Sequence, residues 1–387
     1  MINQGFKFID LFSGIGGFHQ AMEQLGGECV LASEIDKYAI ETYQENYGID
    51  SNVNIRDIDE ESMPDHDVLC AGFPCQAFSK AGKQFGFNDE TKGTVFFEIE
   101  RSLKHKHPKY FVLENVRNLV SHDHGNTWIT IKNHLHSLGY RMTETPIIIS
   151  PHQFGIPQLR ERVVILGLYD PEHVDENLEI DLGDLLDKKD CSIESVLEEE
   201  ADEKYSISSY EEEVLSAWDE FYQNIDIKVI GFPVWAEYFK KGPNPDNPQW
   251  KNEFIEKNNK LYRDNKKFID AWLKKNNNLE DWVPTHRKFE WQCGTQVGSI
   301  WEAVIQMRPS GIRVKSPNCF PALVAMVQIP IIGKYKRRLS VREAARLQSF
   351  PDEFIPNSND QQAYKQFGNA VNVEVIKRVA KVLFETY

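Results

Sequence analysis

The chain has 387 residues, of which 41% are hydrophobic and 12% aromatic, and its formal net charge is −15. This length allows two or three domains with buried cores, and the composition excludes an intrinsically disordered protein. No apolar run reaches the roughly 18 residues that a membrane span needs, and the N-terminus lacks the layout of a signal peptide. We therefore expect a cytoplasmic protein with no membrane contact.

The first 170 residues alternate apolar runs with helix-like stretches, which predicts an α/β fold with a parallel sheet. The predicted strands are 7–12, 28–34, 66–71, 109–114, 144–149 and 162–168, and the predicted helices are 16–25, 37–46, 94–106 and 126–138. After Tyr169 the pattern breaks. We predict a second, smaller and less regular domain at 171–355, with a linker at 241–248. Residues 373–384 have helical periodicity and should return to the first domain, which then comprises 1–170 and 356–387.

The negative charge is concentrated in one segment. Residues 171–220 contain 19 Asp and Glu against three Lys and Arg, whereas the rest of the chain contains 40 acidic and 41 basic residues. A basic cluster lies nearer the C-terminus and comprises Lys334, Lys336, Arg337, Arg338, Arg342 and Arg346. Such a cluster can contact phosphates, although many are only solvated surface. The net charge therefore does not exclude a nucleic-acid partner.

The first strand leads into a glycine-rich loop, Ser13-Gly-Ile-Gly-Gly17. Glycines there let a ligand approach the backbone and the N–H groups of the next helix. A dinucleotide fingerprint would need glycine where this chain has His19, so a pyrophosphate site is disfavoured. Glu34 can bind both hydroxyls of a ribose, and Asp57 can accept from an adenine amine. An adenosine without a pyrophosphate points to S-adenosylmethionine.

Cys75 follows Pro74 and a predicted strand, a position that can present a thiolate to a pocket. Covalent catalysis on a ring needs a nucleophile, a hydrogen-bonding acid and a cation that stabilises developing charge. Cys75, Glu114 and Arg162 have these three chemistries. Each also has a structural interpretation, as a buried thiol, an exposed strand-end carboxylate and a salt-bridged arginine. The six cysteines form no Cys-x-x-Cys pair, which disfavours a metal site or a disulfide framework.

Six segments resemble, in order, the motifs of the cytosine-C5 DNA methyltransferases. They cover two arms of the chain, about 1–170 and 336–380. The segments are Asp10-Leu-Phe-Ser-Gly-Ile-Gly-Gly17, Gly72-Phe-Pro-Cys-Gln-Ala-Phe-Ser79, Glu114-Asn-Val116, Gln158-Leu-Arg-Glu-Arg162, Arg338-Leu-Ser-Val-Arg-Glu-Ala-Ala-Arg346 and Gln366-Phe-Gly-Asn-Ala-Val371. The resemblance implies a Rossmann-like S-adenosylmethionine-dependent methyltransferase domain. A smaller, irregular target-recognition domain would be inserted before the C-terminal helix.

The resemblance also implies residue roles. In the catalytic group, Cys75 is the nucleophile, Glu114 binds N3 and the exocyclic amine, and Arg162 binds O2, with Arg160 beside them. The implied cofactor-lining residues are Phe12, Gly14, Ile15, Gly16, Gly17, Glu34, Ile35, Asp57, Ile58, Pro74, Asn369 and Val371. Residues 76–93 resemble a loop that closes over DNA, with contacts from Gln76, Ser79 and Lys83. The family's recognition region commonly ends in Thr-Leu, but here Ala322 precedes Leu323, which puts that threonine's DNA contact in doubt.

The implied enzyme is a monomer that methylates a flipped-out cytosine in a specific duplex DNA sequence and releases S-adenosylhomocysteine. It would associate with the nucleoid through DNA, and a separate cognate restriction endonuclease could accompany it. An RNA methyltransferase acting on a tRNA cytosine is the first alternative. Such enzymes typically have Pro-Pro-Cys and a short insert, whereas this chain has Phe73-Pro-Cys75 and about 165 residues between the arms. A catalytically silent DNA-binding relative and an NAD-dependent enzyme are further alternatives.

Overall fold

A computed structural model describes residues 2, 5–73, 94–183, 186, 191–227, 230–324 and 328–387. In this part of the chain the strands are β1 Lys7–Leu11, β2 Glu28–Ser33, β3 Val68–Gly72, β4 Tyr110–Val116, β5 Tyr140–Met142, β6 Ile147–Ile149, β7 Gln158–Leu159, β8 Arg162–Tyr169, β9 Val234–Trp235, β10 Lys288–Gln292, β11 Val304–Arg308, β12 Gly311–Lys315, β13 Phe320–Pro321, β14 Ile331–Ile332 and β15 Arg337–Arg338. The α-helices are α1 Gly17–Glu23, α2 Lys37–Tyr47, α3 Thr94–Lys106, α4 Asn118–Ser121, α5 Asn126–Ser137, α6 Ser209–Asn224, α7 Gln249–Asp264, α8 Lys266–Lys275, α9 Val341–Leu347, α10 Asp360–Asn369 and α11 Val373–Thr386.

The chain divides into two compact units. The first comprises residues 1–191, 322–327 and 341–387, and the second comprises 192–321 and 328–340. Residues after Tyr169 stay in the first unit because their backbone bonds to it: the Leu178 N–H donates to the Met142 carbonyl at 2.8 Å. At the other boundary, Phe350 packs against Phe367 with ring centroids 5.6 Å apart. The structural boundaries therefore differ from the expected 171 and 355.

The first unit contains a seven-stranded sheet in the order β2-β1-β3-β4-β8, with β5 and β6 both paired to β8. Strands β2, β1, β3 and β4 are parallel, as predicted. Strand β8 instead runs antiparallel to β4. Strand β8 also runs antiparallel to β6, which precedes it in the sheet. A parallel pair needs a long crossover, usually a helix, and no α-helix separates β6 from β8. The prediction of a parallel sheet is therefore wrong at this edge.

The C-terminal helix α11 packs on the first unit, as the sequence predicts. The ring of Phe384 lies 5.5 Å from that of Phe6 and 5.0 Å from that of Tyr110. All three side chains are buried. Because α11 closes the core beside β1 and β4, the C-terminal segment ahead of it is fixed near the ends of these strands.

The second unit contains a six-stranded sheet in the order β15-β14-β11-β12-β10-β9. One face of it packs on an aromatic core shared with α6 and α8. Trp218 stacks on Phe289 at 4.9 Å, and the indole N–H of Trp272 donates to the Ala217 carbonyl at 2.8 Å. Three of the six strands have only two residues, and such strands leave no periodic pattern. For this reason the sequence did not predict this sheet.

The acidic segment and the basic cluster neutralise each other within the second unit. Lys334 pairs with Glu194 at 2.9 Å, Lys336 pairs with Glu212, and Arg338 pairs with Glu211. In the first unit, Arg346 pairs with Asp352, and Arg342 donates to the carbonyl of Phe354. Carboxylates of the protein therefore occupy four of these cations. A phosphate contact by this cluster stays a prediction.

No α-helix in the described residues is long and apolar enough to span a bilayer.

Replacing Trp218 with alanine should destabilise the second unit. The side chain is fully buried, and its indole N–H donates to the His286 carbonyl at 2.9 Å. Truncating a buried tryptophan costs about 3–5 kcal/mol of unfolding free energy. Urea denaturation followed by near-ultraviolet circular dichroism measures this loss. Trp250→Ala is the control, because Trp250 is 55% exposed. Equal stabilities of the two variants would contradict the packing described here.

Candidate active site

The turn between β1 and α1 requires unusual backbone angles. Phe12, Gly14 and Gly16 have φ of 57°, 54° and 84°. A Cβ atom on Gly16 would lie 2.4 Å from the Tyr47 ring, whereas one on Gly14 would meet nothing within 4 Å. Glycine is thus required at position 16 by both backbone and packing. Ile15 is buried in this turn, and the space beside Gly14 can admit a ligand.

Glu34, which follows β2, holds this turn. Its Oε2 accepts from the Gly14 N–H at 2.8 Å, and its Oε1 accepts from the N–H groups of Ile35 and Asp36 at 2.6 and 2.8 Å. The next side chain, Ile35, is 75% exposed although it is apolar. The structure thus places a fixed carboxylate and an exposed apolar side chain beside the glycine turn. These are groups that suit a ribose and a flat base, respectively.

Asp57 and Ile58 lie at a short turn after Asn54. Asp57 ends the 3₁₀ turn Ile55–Asp57 and is exposed, whereas Ile58 is buried. The Asn54 side chain caps the turn by accepting from the Arg56 N–H. The Asp57 side chain is therefore available to a ligand, and Ile58 anchors the turn in the core.

A buried aromatic network supports the glycine turn from behind. His19 stacks on Tyr47 at 3.9 Å, and its Nδ1 lies 2.7 Å from the Tyr43 hydroxyl. The Tyr47 hydroxyl donates toward the carbonyls of Ile15 and Gly16 at 3.2 Å. Burial lowers the pKa of His19 to about 4, so the ring is neutral near pH 7. His19 thus fills the core where a dinucleotide-binding protein would have glycine.

The C-terminal arm approaches the same turn. A Cβ on Gly17 would lie 2.7 Å from Val371 Cγ2 and 2.9 Å from the Val371 carbonyl oxygen. A Cβ on Gly72, the last residue of β3, would lie 3.7 Å from Val371 Cγ1. Val371 therefore bridges the glycine turn and the end of β3, while Asn369, at the end of α10, is exposed.

The Arg160 side chain binds backbone carbonyls of distant segments. Its side chain is buried, and its guanidinium donates to the carbonyls of Leu323, Gly368 and Ala370 at 2.7–3.0 Å. These contacts fix the segment just before Val371. Arg160 thus positions this segment, and because it also lines a cavity with Glu114, its membership of the catalytic group stays a prediction. Ala322 precedes one of the carbonyls that Arg160 holds.

Glu114 and Arg162 form an ion pair between neighbouring strands. Arg162 Nε lies 3.0 Å from Glu114 Oε1, and Glu114 is 9% exposed. Burial raises the pKa of Glu114, and the nearby positive charges of Arg162 and Arg160 only partly oppose this effect. A small cavity is lined by Glu114, Arg160, Arg162, Asn372 and the apolar residues Ile149, Pro151, Val164, Val371, Val375 and Ile376. Glu114 can thus hold a proton at a pH where an exposed carboxylate would be ionised.

The end of β3 lies beside Glu114. Gly72 pairs with Glu114 in the sheet, and the Asn115 amide donates to the Phe73 carbonyl at 3.3 Å. Strand β3 thus ends at Gly72, next to Glu114 and three positions before Cys75. Five predicted site residues lie outside the described part of the chain: Pro74, Cys75, Gln76, Ser79 and Lys83.

Sequence reasoning did not assign roles to Asn115, Tyr43 and Tyr47. Asn115 is buried next to Glu114 in the motif, and that adjacency is the signal that could have identified it. The two tyrosines lie one helical turn apart on α2, a spacing that is equally typical of any core-facing helix side. Among the described residues, no group of three or more His, Cys, Asp or Glu could hold a metal ion.

Replacing Glu114 with glutamine should change how stability depends on pH. The raised pKa means that the folded state favours the protonated acid. The stability from Glu114 is therefore complete below its unfolded pKa and is lost as the pH rises through the folded value. The unfolding free energy of Glu114→Gln minus that of the wild type should therefore be larger at pH 8 than at pH 4.5. Urea denaturation at the two pH values measures this difference. Glu161→Gln, at an exposed carboxylate paired with Arg117, is the control. A wild-type-to-mutant difference that does not vary with pH would contradict this environment.

The chain is similar to proteins of known class. The sequence model of the C-5 cytosine-specific DNA methylase family matches residues 6–385. The type II methyltransferase M.BanI of Aneurinibacillus aneurinilyticus is 34% identical, over 98% of this chain and 96% of its own. M.HhaI of Haemophilus parahaemolyticus is 31% identical, over 97% and 93%.

Solved structures show the same fold. The Entamoeba histolytica methyltransferase EhMeth superposes with a TM-score of 0.59 and 19% identity, over 99% of both chains. The Schizosaccharomyces pombe Dnmt2 methyltransferase has a TM-score of 0.54 and 18% identity, over 98% of this chain and 99% of its own. The family and fold imply the use of S-adenosylmethionine and a DNA substrate. This chain belongs to the C-5 cytosine-specific DNA methylase family.

Proposed function

We propose that this protein methylates C5 of a flipped-out cytosine in duplex DNA, with Cys75 as nucleophile and Glu114 and Arg162 as the groups that activate the ring. The observation that carries the residue roles is the buried Glu114–Arg162 pair beside Gly72, from which the chain proceeds to Cys75. Family membership and relatives that are type II methyltransferases support the reaction class. They favour DNA over the alternative of a tRNA substrate.

The residues of the site account for the difficult step. The Cys75 thiolate adds to C6 of cytosine, and the electrons of the C5–C6 double bond move toward N3 and O2. Glu114, whose pKa burial raises, donates a proton to N3 of the base, while the Arg162 guanidinium stabilises charge at O2. C5 then behaves as an enamine carbon and takes up the methyl group. The N3 proton returns to Glu114, water takes the C5 proton, and the electron pair of the C5–H bond forms the C5–C6 double bond as the thiolate leaves C6.

The glycine turn suits S-adenosylmethionine, which supplies the methyl group. We assign the two ribose hydroxyls to the Glu34 carboxylate, which also accepts from the Gly14 N–H, and one face of the adenine to the exposed Ile35. Asp57 is free to accept from the adenine amine, and Phe12, Asn369, Val371 and Pro74 complete the proposed site. The open space at Gly14 supports this fit, because a ligand can approach the backbone there. S-adenosylhomocysteine is the product.

We assign target recognition to the second unit, because five of the six methyltransferase motifs lie wholly in the first unit and only residues 338–340 of the remaining motif lie in the second. The relatives M.BanI and M.HhaI are named as type II methyltransferases, which supports a restriction–modification setting. In that setting a separate endonuclease would cleave the unmethylated site, and the methyltransferase would act as a nucleoid-associated cytoplasmic monomer. Gln76, Ser79 and Lys83 are the proposed DNA contacts of the segment after Cys75.

Duplex DNA containing 5-fluorocytosine at the target should trap the proposed covalent intermediate. Fluorine at C5 cannot leave as a cation, so elimination of the Cys75 thiolate is blocked. With S-adenosylmethionine present, the wild-type protein should form an adduct that survives denaturing electrophoresis. Cys75→Ser should form none, because a serine hydroxyl is far less ionised than a thiol. An equally stable adduct with Cys75→Ser would place the nucleophile elsewhere.

Replacing Glu34 with alanine should weaken S-adenosylmethionine binding. Loss of hydrogen bonds to a charged carboxylate costs about 1.5–3 kcal/mol, or roughly 10- to 150-fold in affinity. Isothermal titration calorimetry measures this change directly. Glu28→Ala removes the same charge from an exposed position at the start of β2 and should bind normally. Equal affinities of the two variants would exclude Glu34 from the cofactor site.

A further inference from the structure

The second unit has a polar sheet face opposite its aromatic core. Side chains alternate along a strand, so Phe289, Trp291, Ile312 and Val314 face the core while their neighbours face the other way. On that other face, Glu290 of β10 pairs in register with Arg313 of β12, which pairs with Gln306 of β11. Arg308 and Lys315 lie on the same face, two residues along their strands from this row. Gln306 is buried, whereas the other four are partly exposed, and we call Glu290, Arg308, Arg313 and Lys315 the polar sheet face.

One carboxylate fixes two arginines of this face. Glu290 Oε2 accepts from Arg313 Nε at 2.9 Å and from an Arg308 terminal nitrogen at 3.0 Å. The guanidinium of Arg313 is therefore held at Nε, which leaves its terminal N–H groups without a recorded partner among the described residues. A planar guanidinium in a fixed orientation presents a paired donor edge.

The face carries excess positive charge. It has three cations and one carboxylate, whereas Glu194, Glu211 and Glu212 neutralise the basic cluster elsewhere in this unit. Lys315 has neither an ion pair nor a hydrogen bond recorded with the described residues. Burial, then repulsion from Arg313 and Arg308, lowers the pKa of Lys315. A polyanion against this face would relieve that repulsion.

We propose that the polar sheet face of the second unit contacts the DNA duplex, and that Arg313 and Arg308, oriented by Glu290, read bases of the target sequence. The inference rests on the proposed function. Arginine donates two hydrogen bonds to O6 and N7 of guanine in the major groove, and a fixed donor edge is suited to that contact. Lys315 supplies charge toward a phosphate. The recognised sequence should therefore contain at least one guanine read by this pair.

The test compares the sites methylated by wild-type protein and variants in a random-sequence duplex library, read by bisulfite sequencing. Arg313→Ala and Arg313→Lys should both reduce methylation of the wild-type site at least tenfold and accept other bases at one position. Lysine keeps the positive charge but lacks the planar pair of N–H donors of a guanidinium. Lys274→Ala is the matched control, because it removes one positive charge at an exposed position of α8, which packs on the opposite sheet face. It should leave rate and sequence unchanged.

Two outcomes would overturn this inference while the proposed function stands. In one, the wild type methylates DNA and Arg313→Ala matches Lys274→Ala. In the other, Arg313→Lys restores the rate with an unchanged site, which would make Arg313 a phosphate contact only. A wild type that methylates no cytosine overturns both proposals.

Seven of the eight tryptophans lie at 192–321, so near-ultraviolet circular dichroism reports folding of this unit. Should Arg313→Ala misfold, Arg313→Lys and Glu290→Gln carry the test, and Glu290→Gln should broaden the site.

Discussion

The buried guanidinium of Arg160 is the contact on which the geometry of the first unit depends. It binds three carbonyls, at Leu323, Gly368 and Ala370, that are distant from it in sequence. Its own backbone N–H donates to Ser150 Oγ at 2.9 Å, which ties it to the segment after β6. One side chain therefore sets where the chain lies when it returns from the second unit. Truncation of the Arg160 side chain would leave three carbonyls without their hydrogen-bond donor, which would lower the unfolding free energy.

From that fixed point, the position of Val371 follows, and with it the contact between the cofactor turn and the end of β3. Val371 leaves no room for a side chain at Gly17 and lies within van der Waals reach of the position that a Cβ on Gly72 would take. Val371 also lines the cavity beside Glu114. If the proposed cofactor and cytosine sites are correct, a displacement of the C-terminal arm should change both sites together.

The sequence predicted the first unit well where apolar strands alternate with helices, because each of these elements buries a continuous hydrophobic stretch. It did not predict the antiparallel edge, because β5 and β6 have only three residues each and give little periodic signal. The connection from β6 to β8 also lacks the α-helix that the alternating pattern led us to expect. Glu114, Arg162 and Glu34 could be identified as candidates from their motifs. The positioning role of Arg160 could not, because it depends on carbonyls more than 160 residues away. The pairing of the basic cluster was equally hard to predict, since the carboxylates that pair with Lys334, Lys336 and Arg338 lie more than 120 residues earlier in the chain.

The ion pairs between the acidic segment and the basic cluster have a consequence for how this protein searches DNA. A cation that already holds a carboxylate displaces few condensed counterions when it meets a phosphate, and counterion release is the source of sequence-independent affinity. Only the cations that lack such a carboxylate contribute to binding at random sites. We therefore expect the acidic segment to weaken sequence-independent DNA binding through the basic cluster, which leaves a larger share of the affinity to contacts with bases.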